Sequence, residues 1–222
     1  MEKTRVGLIR VLTIEDPELL QSHGRRIEEV LPQVQVVSVC IKEQPQGVYD
    51  KETEAVASLK VLQEALKLES SGVEAVIVSC MADPGLSLLQ EHMSIPAVGA
   101  GMAGALMALA HGKPVGVLGI TADPPEPVTR VLGTRIVACA KPPGVQTTVD
   151  LMTPAGRRAA SGAVDQLREA GAQLILLGCT GLCTVGLAPD IERRTGLPVI
   201  DPVVASGMLA YFAARNHAFQ LR

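Results

Sequence analysis

Two cysteines, Cys80 and Cys179, stand 99 positions apart, each ending an apolar, β-branched run: GVEAVIVSC for the first and GAQLILLGC for the second. Such a pair suits stereochemical inversion at one carbon. That reaction needs a base on one face and a proton donor on the other, with the roles exchanged in the reverse direction. A thiol of pKa about 8.5 is lowered at a helix N-terminus, so one thiolate and one thiol can coexist near neutral pH. After Cys80 comes MADPG, in which Asp83 is a good N-cap and Pro84 a good first helical residue. After Cys179 comes TGLCT, in which Thr180 can cap and Gly181 lets backbone approach closely. Both thiols are therefore expected just before helices. Free backbone N–H groups at Met81, Ala82, Thr180 and Gly181 would then hold a carboxylate or a developing enolate.

The elements that must position these residues occur twice along the chain. Apolar runs at 6–12, 34–40, 75–80, 115–120, 136–140 and 174–179 alternate with segments of helical apolar spacing such as 52–71 and 154–170. That alternation predicts βαβ units, hence an α/β fold with parallel sheets, and Gly72 and Gly171 fall where helix C-terminal caps belong. Cys40 and Cys139, like Gly72 and Gly171, share the offset of 99, and RVGLIRVLTIEDPE matches PVGVLGITADPPE upstream. The chain reads as two pseudo-symmetric domains, 1–98 and 99–204, with 205–222 returning as a helix onto the first. Ligands of open α/β sheets sit beyond the carboxyl ends of the strands. Two facing copies would therefore place one thiol on each side of a bound ligand.

Composition narrows the partners. A net charge of −3 without a basic stripe, and only 2% aromatic residues, leave no source for phosphate tracking or base stacking, so nucleic acid is not expected. The uncharged stretch 93–110 contains Pro96, Gly99, Gly101 and Gly104, which predicts a buried strand end and a tightly packed helix rather than a membrane span. The first residues lack a signal-peptide pattern, and five cysteines suggest no disulfide framework, so the cytoplasm is the expected compartment. Only Cys179 and Cys183 are close in sequence, at i,i+4, which is not a zinc pattern, and no metal is expected. The expected partner is a small-molecule substrate, and the expected assembly is a homodimer or higher homo-oligomer.

SCMADPGL at 79–86 is similar to the first catalytic motif of hydantoin racemases, and LGCTGL at 177–182 to the second motif of the aspartate/glutamate/hydantoin racemase superfamily. The resemblance spans nearly the whole chain. It implies two four-stranded parallel-sheet domains flanked by helices, no cofactor, and catalysis by Cys80 and Cys179. Having both cysteines argues for racemisation or epimerisation, next to a carboxylate or carbonyl, over the one-cysteine decarboxylase and isomerase branches. Gly181 stands where glutamate racemases carry His, which argues against glutamate, and IRVLT at 9–13 replaces the Asn-Pro-Asn of hydantoin racemases. A small-acid binding protein that closes without turnover is the alternative from another class.

Other residues enter with two readings each. Arg10, near the end of the first strand, is either a clamp for a substrate carboxylate or a structural ion pair. Thr13, and Thr121 after the equivalent strand, either line the site or make turns. Tyr49 lies in a loop that contacts substrate in relatives, or it packs at the surface. Asp83 is foremost a helix cap. Lys42 and Lys141 are expected in solvent, Cys183 behind Cys179, and the four histidines without a role.

Overall fold

A computed structural model describes residues 2–220, the side chains of 219 and 220 excepted. The chain runs β1 (Thr4–Arg10), α1 (Pro17–Val30), β2 (Val34–Cys40), α2 (Lys51–Ser70), β3 (Ala75–Ser79), α3 (Leu86–His92), β4 (Ala97–Gly99), α4 (Ala100–Ala110). It then repeats as β5 (Val115–Leu118), α5 (Glu126–Leu132), β6 (Ile136–Ala140), α6 (Pro154–Glu169), β7 (Leu174–Leu177), α7 (Thr180–Thr184), α8 (Ala188–Thr195), β8 (Val199–Ile200), α9 (Pro202–Gln220). The two four-stranded parallel sheets have orders β2-β1-β3-β4 and β6-β5-β7-β8, the same topology twice. The expected α/β architecture is the one observed.

Local chemistry explains the main elements. Continuous apolar runs such as AVIVS and LILL suit strands buried on both faces, and β3 and β7 are wholly buried. Asp50 caps α2 through a capping box with Thr53, while Thr153 caps α6 with Pro154 at its first position. Gly72 and Gly171 end these helices with φ of +83° and +90°, as their sequence positions predicted. Gly7 on β1 and Gly116 on β5 hold equivalent places. A Cβ at Gly7 would come within 2.8 Å of Leu68, and one at Gly116 within 2.9 Å of Ala172 and 3.0 Å of Leu167. Bare backbone there lets α2 and α6 settle directly on their sheets.

The helix that follows each unit leaves it. α4 extends from β4, yet its Ala105 and Ala108 pack with Val115, Val117, Leu174 and Leu176 of the second sheet. α9 extends from β8, and its Val203, Ala210 and Ala214 pack with Val6, Leu8, Ala75 and Ile77 of the first. α4 and α9 also pack on each other. The uncharged stretch at 93–110 thus contains a strand end and a helix packed on its neighbours along one side, with Leu106 and Leu109 exposed on the other. Among the described residues no helix is long and apolar enough to cross a membrane.

Candidate active site

β3 and β7 occupy equivalent places in their sheets and end at Ser79 and Leu177. The chain beyond them brings Cys80 and Cys179 to the wall of one cavity of about 490 Å³. Both cysteines are buried, at 8% and 7% exposure. Their surroundings differ.

Cys179 is itself the N-cap residue of α7, one residue before the Thr180 that the sequence suggested as the cap. Its sulfur lies 3.7 Å from Thr148 Oγ1, and its side chain makes no hydrogen bond that caps the helix. Burial raises its pKa, and the nearby backbone N–H groups of Gly181 and Leu182, the Thr148 hydroxyl and the charge of Arg10 oppose the rise. Cys80 precedes a turn instead. Asp83 N–H donates to its carbonyl at 3.2 Å, Leu86 N–H donates to the Asp83 carbonyl at 3.1 Å, and α3 begins only at Leu86. Burial pushes the Cys80 thiol far above its ordinary range, against a smaller opposing pull from the Ala82 backbone N–H.

The expected caps are therefore corrected. Asp83 does not cap the helix that follows it. It adopts φ +51°, turns inward and accepts from the N–H groups of Gly101 and Met102 at 2.7 and 2.8 Å, so it caps α4. A Cβ at Gly99 would fall on the Asp83 carboxyl, and one at Gly101 on the Met81 carbonyl, so the glycines of GAGMAGA make room for this contact. Burial lifts the Asp83 carboxyl to about 7 against those two hydrogen bonds. Thr180 likewise caps nothing. It is the first residue of α7, and its hydroxyl donates to the Ser79 carbonyl at 3.2 Å.

Of the residues singled out by sequence, Tyr49, Met81, Ala82, Thr121 and Thr180 line the cavity with the two cysteines. Tyr49 reaches across from the first unit to pack on the core around Cys179. Thr121 bonds the Asp123 carbonyl at 2.7 Å, so it makes a turn as well as a wall. Gly181 is not in the wall. Thr13 is a turn residue, donating to the Ile41 carbonyl and accepting from Gln44 N–H. Arg10 is not at the cavity, so the carboxylate clamp is not where the sequence placed it. Its guanidinium points to α1 and α7, donating to the Leu19 carbonyl, Ser22 Oγ and Thr184 Oγ1. No carboxylate pairs with it among the described residues, so the ion-pair reading is corrected too.

Three participants escaped the sequence. His23 is buried, with Nδ1 2.8 Å from Ser79 Oγ and Nε2 2.7 Å from Thr184 Oγ1. Burial and then Arg10 hold its pKa well below the usual imidazole value, so it is neutral. Ser79 joins this buried network directly behind Cys80. Thr148, beside Cys179, was accessible to sequence reasoning, because the offset of 99 that relates the cysteines also relates Tyr49 to Thr148. The charged residues of the cavity are Asp50, Lys51, Glu54, Asp123 and Glu126. Burial raises the Glu54 carboxyl, and Glu126 adds to the rise. No group of three His, Cys, Asp or Glu side chains is placed to hold a metal among the described residues.

Two matching α/β sheets with a thiol from each at one cavity define the racemase type of two-sheet isomerase. The family model for Asp/Glu/Hydantoin racemase matches residues 19–209. A hydantoin racemase of Pseudomonas sp. (strain NS671) is 30% identical over 188 residues, 77% of this chain and 70% of that protein. In fold, the chain is similar to allantoin racemase from Klebsiella pneumoniae, with a TM-score of 0.81 and 22% identity over 96% of this chain and 89% of that one. Allantoin racemase from Pseudomonas fluorescens gives 0.79 and 24% over 96% and 91%. The chain belongs to the Asp/Glu/hydantoin racemase family. It is an isomerase.

Proposed function

We propose that the protein is a cofactor-independent racemase acting at a carbon next to a carbonyl, with Cys80 and Cys179 as opposed base and acid. The observation that carries this reading is that two buried thiols, each following the third strand of its unit, line one cavity. A thiolate on one side removes the proton, and the C–H electron pair moves toward the carbonyl. The thiol on the other side delivers its proton to the opposite face. The sulfurs thereby exchange protonation states, which is the arrangement the reverse reaction needs. Burial makes each thiolate a stronger base toward a weakly acidic C–H, and the neighbouring backbone N–H groups of Ala82, Gly181 and Leu182 oppose that rise in pKa.

The cavity's charges bear on the substrate. Four carboxylates, Asp50, Glu54, Asp123 and Glu126, face a single amine, Lys51, so a free carboxylate substrate meets a net negative wall. A neutral cyclic amide does not. With hydantoin racemases among the relatives, this favours a hydantoin-type ring over an amino acid. Met81, Ala82, Tyr49, Thr121 and Thr180 then contact the substrate from the wall.

The test is incubation of 5-substituted hydantoins and amino acids with the protein in heavy water. Deuterium should enter the stereocentre of the hydantoin as its optical rotation decays. Exchange that persists in the Cys80→Ala, Cys179→Ala double variant rules the mechanism out.

The same reading takes 1–98 and 99–204 as the two domains, with 205–222 returning to the first, as the packing of α9 supports. It places the protein in the cytoplasm, consistent with five free thiols. A homodimer or higher homo-oligomer would cover Leu106 and Leu109 of α4 and Met208 and Phe212 of α9, all exposed on two helices that adjoin.

A further inference from the structure

Ser79 ends β3, stands immediately before Cys80, and is tied to α7 of the second unit by two routes. Its carbonyl accepts from Thr180 Oγ1 at 3.2 Å, and its hydroxyl lies 2.8 Å from His23 Nδ1. The other nitrogen of that ring, Nε2, lies 2.7 Å from Thr184 Oγ1, on the last residue of the helix that Cys179 caps. One imidazole therefore spans from the residue before one thiol to the helix that begins at the other.

The donors and acceptors fall into one order. Thr184 Oγ1 donates its single hydrogen to the Thr180 carbonyl at 3.4 Å and accepts from the Arg10 guanidinium at 3.3 Å. Toward His23 it is then an acceptor, so Nε2 carries the ring proton and Nδ1 accepts from the Ser79 hydroxyl. The bonds run from Ser79 to His23, from His23 to Thr184 and from Thr184 to Thr180, whose own hydroxyl returns to the Ser79 carbonyl. This is a closed circuit, with Ser79 and His23 from the first unit and Thr180 and Thr184 from the second. Ser79 and Thr180 line the cavity, whereas His23 and Thr184 stand behind it. His23 is 1% exposed, on the face of α1 that also buries Gly24 and Ile27. Apolar contacts let packed elements slide, but a buried polar circuit is satisfied in one arrangement and leaves groups unpaired in any other.

We propose that His23 is a positioning residue that fixes Cys80 and Cys179 relative to each other, by locking the end of β3 to α7 across the two units. The proposal rests on the two-thiol reading and names what holds its geometry. Removing a proton needs one sulfur placed against the substrate. Inversion needs both sulfurs placed at once, on opposite faces, so an error in their mutual placement falls on inversion.

The experiment follows each enantiomer of a 5-substituted hydantoin in heavy water, with deuterium entry and loss of optical rotation measured separately. A sulfur that removes a proton, exchanges with solvent and returns a deuteron labels the substrate without inverting it. In His23→Ala the ratio of inversion to exchange with retention should fall about tenfold or more. Thr184→Val, which deletes the acceptor offered by the second unit, should lower the ratio in the same direction, and Thr184→Ser should restore it. A role in stability alone would reduce the folded fraction and lower both rates in proportion. An unchanged ratio in folded His23→Ala overturns the proposal, and should that variant not fold, an unchanged ratio in Thr184→Val does so. Failure of the two-thiol reading shows differently, as no turnover by the unaltered protein or as turnover that survives loss of both cysteines, and it removes this proposal as well.

Discussion

The hydroxyl of Thr180 donates to the Ser79 carbonyl at 3.2 Å, which ties the residue after one cavity thiol to the residue before the other. This bond crosses between the two sheets, at the level of the cavity. Thr180→Val should remove it, costing about 1 kcal/mol in unfolding free energy and lowering kcat more than stability alone accounts for. Urea denaturation set beside steady-state rates checks both, and Thr180→Ser should recover them.

The sulfurs are expected to be separable. Cys80→Ser and Cys179→Ser should each reduce racemisation by about 10²–10⁴-fold, since serine is a poor base without an activating partner. Exchange of the proton facing the surviving thiolate should persist from one enantiomer only. Following solvent exchange and inversion separately for each enantiomer distinguishes the two faces. A single variant that still inverts both enantiomers at the original rate points to a one-base enzyme.

Thr148 supplies the one side-chain hydroxyl beside the Cys179 sulfur. Thr148→Val keeps the volume and deletes the hydroxyl, so the Cys179 thiolate should become harder to form. A kcat loss of about fivefold to tenfold is expected, with the alkaline shift confined to Cys179 in pH-dependent alkylation. Thr148→Ser should behave as the original residue does.

Asp83 makes stability depend on pH in a defined direction. Burial raises its folded carboxyl to about 7, above the ordinary value of 3.8, so between these values the folded chain holds a proton that the unfolded chain has released. Its contribution is therefore complete below the lower value and is lost as pH rises through the upper one. In urea melts across that window, part of the fall in midpoint with rising pH should be absent from Asp83→Asn. Identical pH slopes in the two proteins would refute the assignment.

Much of the fold was written in the chain because burial on both faces demands long apolar runs, and duplication repeated every signal. The strands 34–40 and 136–140 were placed to the residue. β1 was expected two residues late, since Thr4 and Arg5 look polar although Thr4 is buried. The pair at the cavity was legible for the same reason, through one offset applied to Cys80 and Cys179. Where the sequence misled was in what polar side chains reach. Asp83 looks like the cap of the helix just after it, and only the path of α4 reveals a second helix start closer to its carboxyl. Arg10 looks like a strand-end clamp because nothing local shows α1 and α7 offering it carbonyl and hydroxyl acceptors. His23, on a helix with no motif, becomes visible only when β3 and α7 close around it.

The exchange of α4 and α9 between sheets has a consequence for how the molecule comes apart. With the chain divided near Gly99, α4 stays with the second sheet it covers, but α9, which covers one face of the first sheet, belongs to the second half, so the first half made alone lacks that lining. A fragment ending near Gly99 would expose Val6, Leu8 and Ile77 to water, and the complementary fragment would keep α9 with no sheet to lie on. The duplicated halves are therefore not modules on a string. Heating should melt both in a single cooperative transition, and the two fragments should regain structure only when mixed.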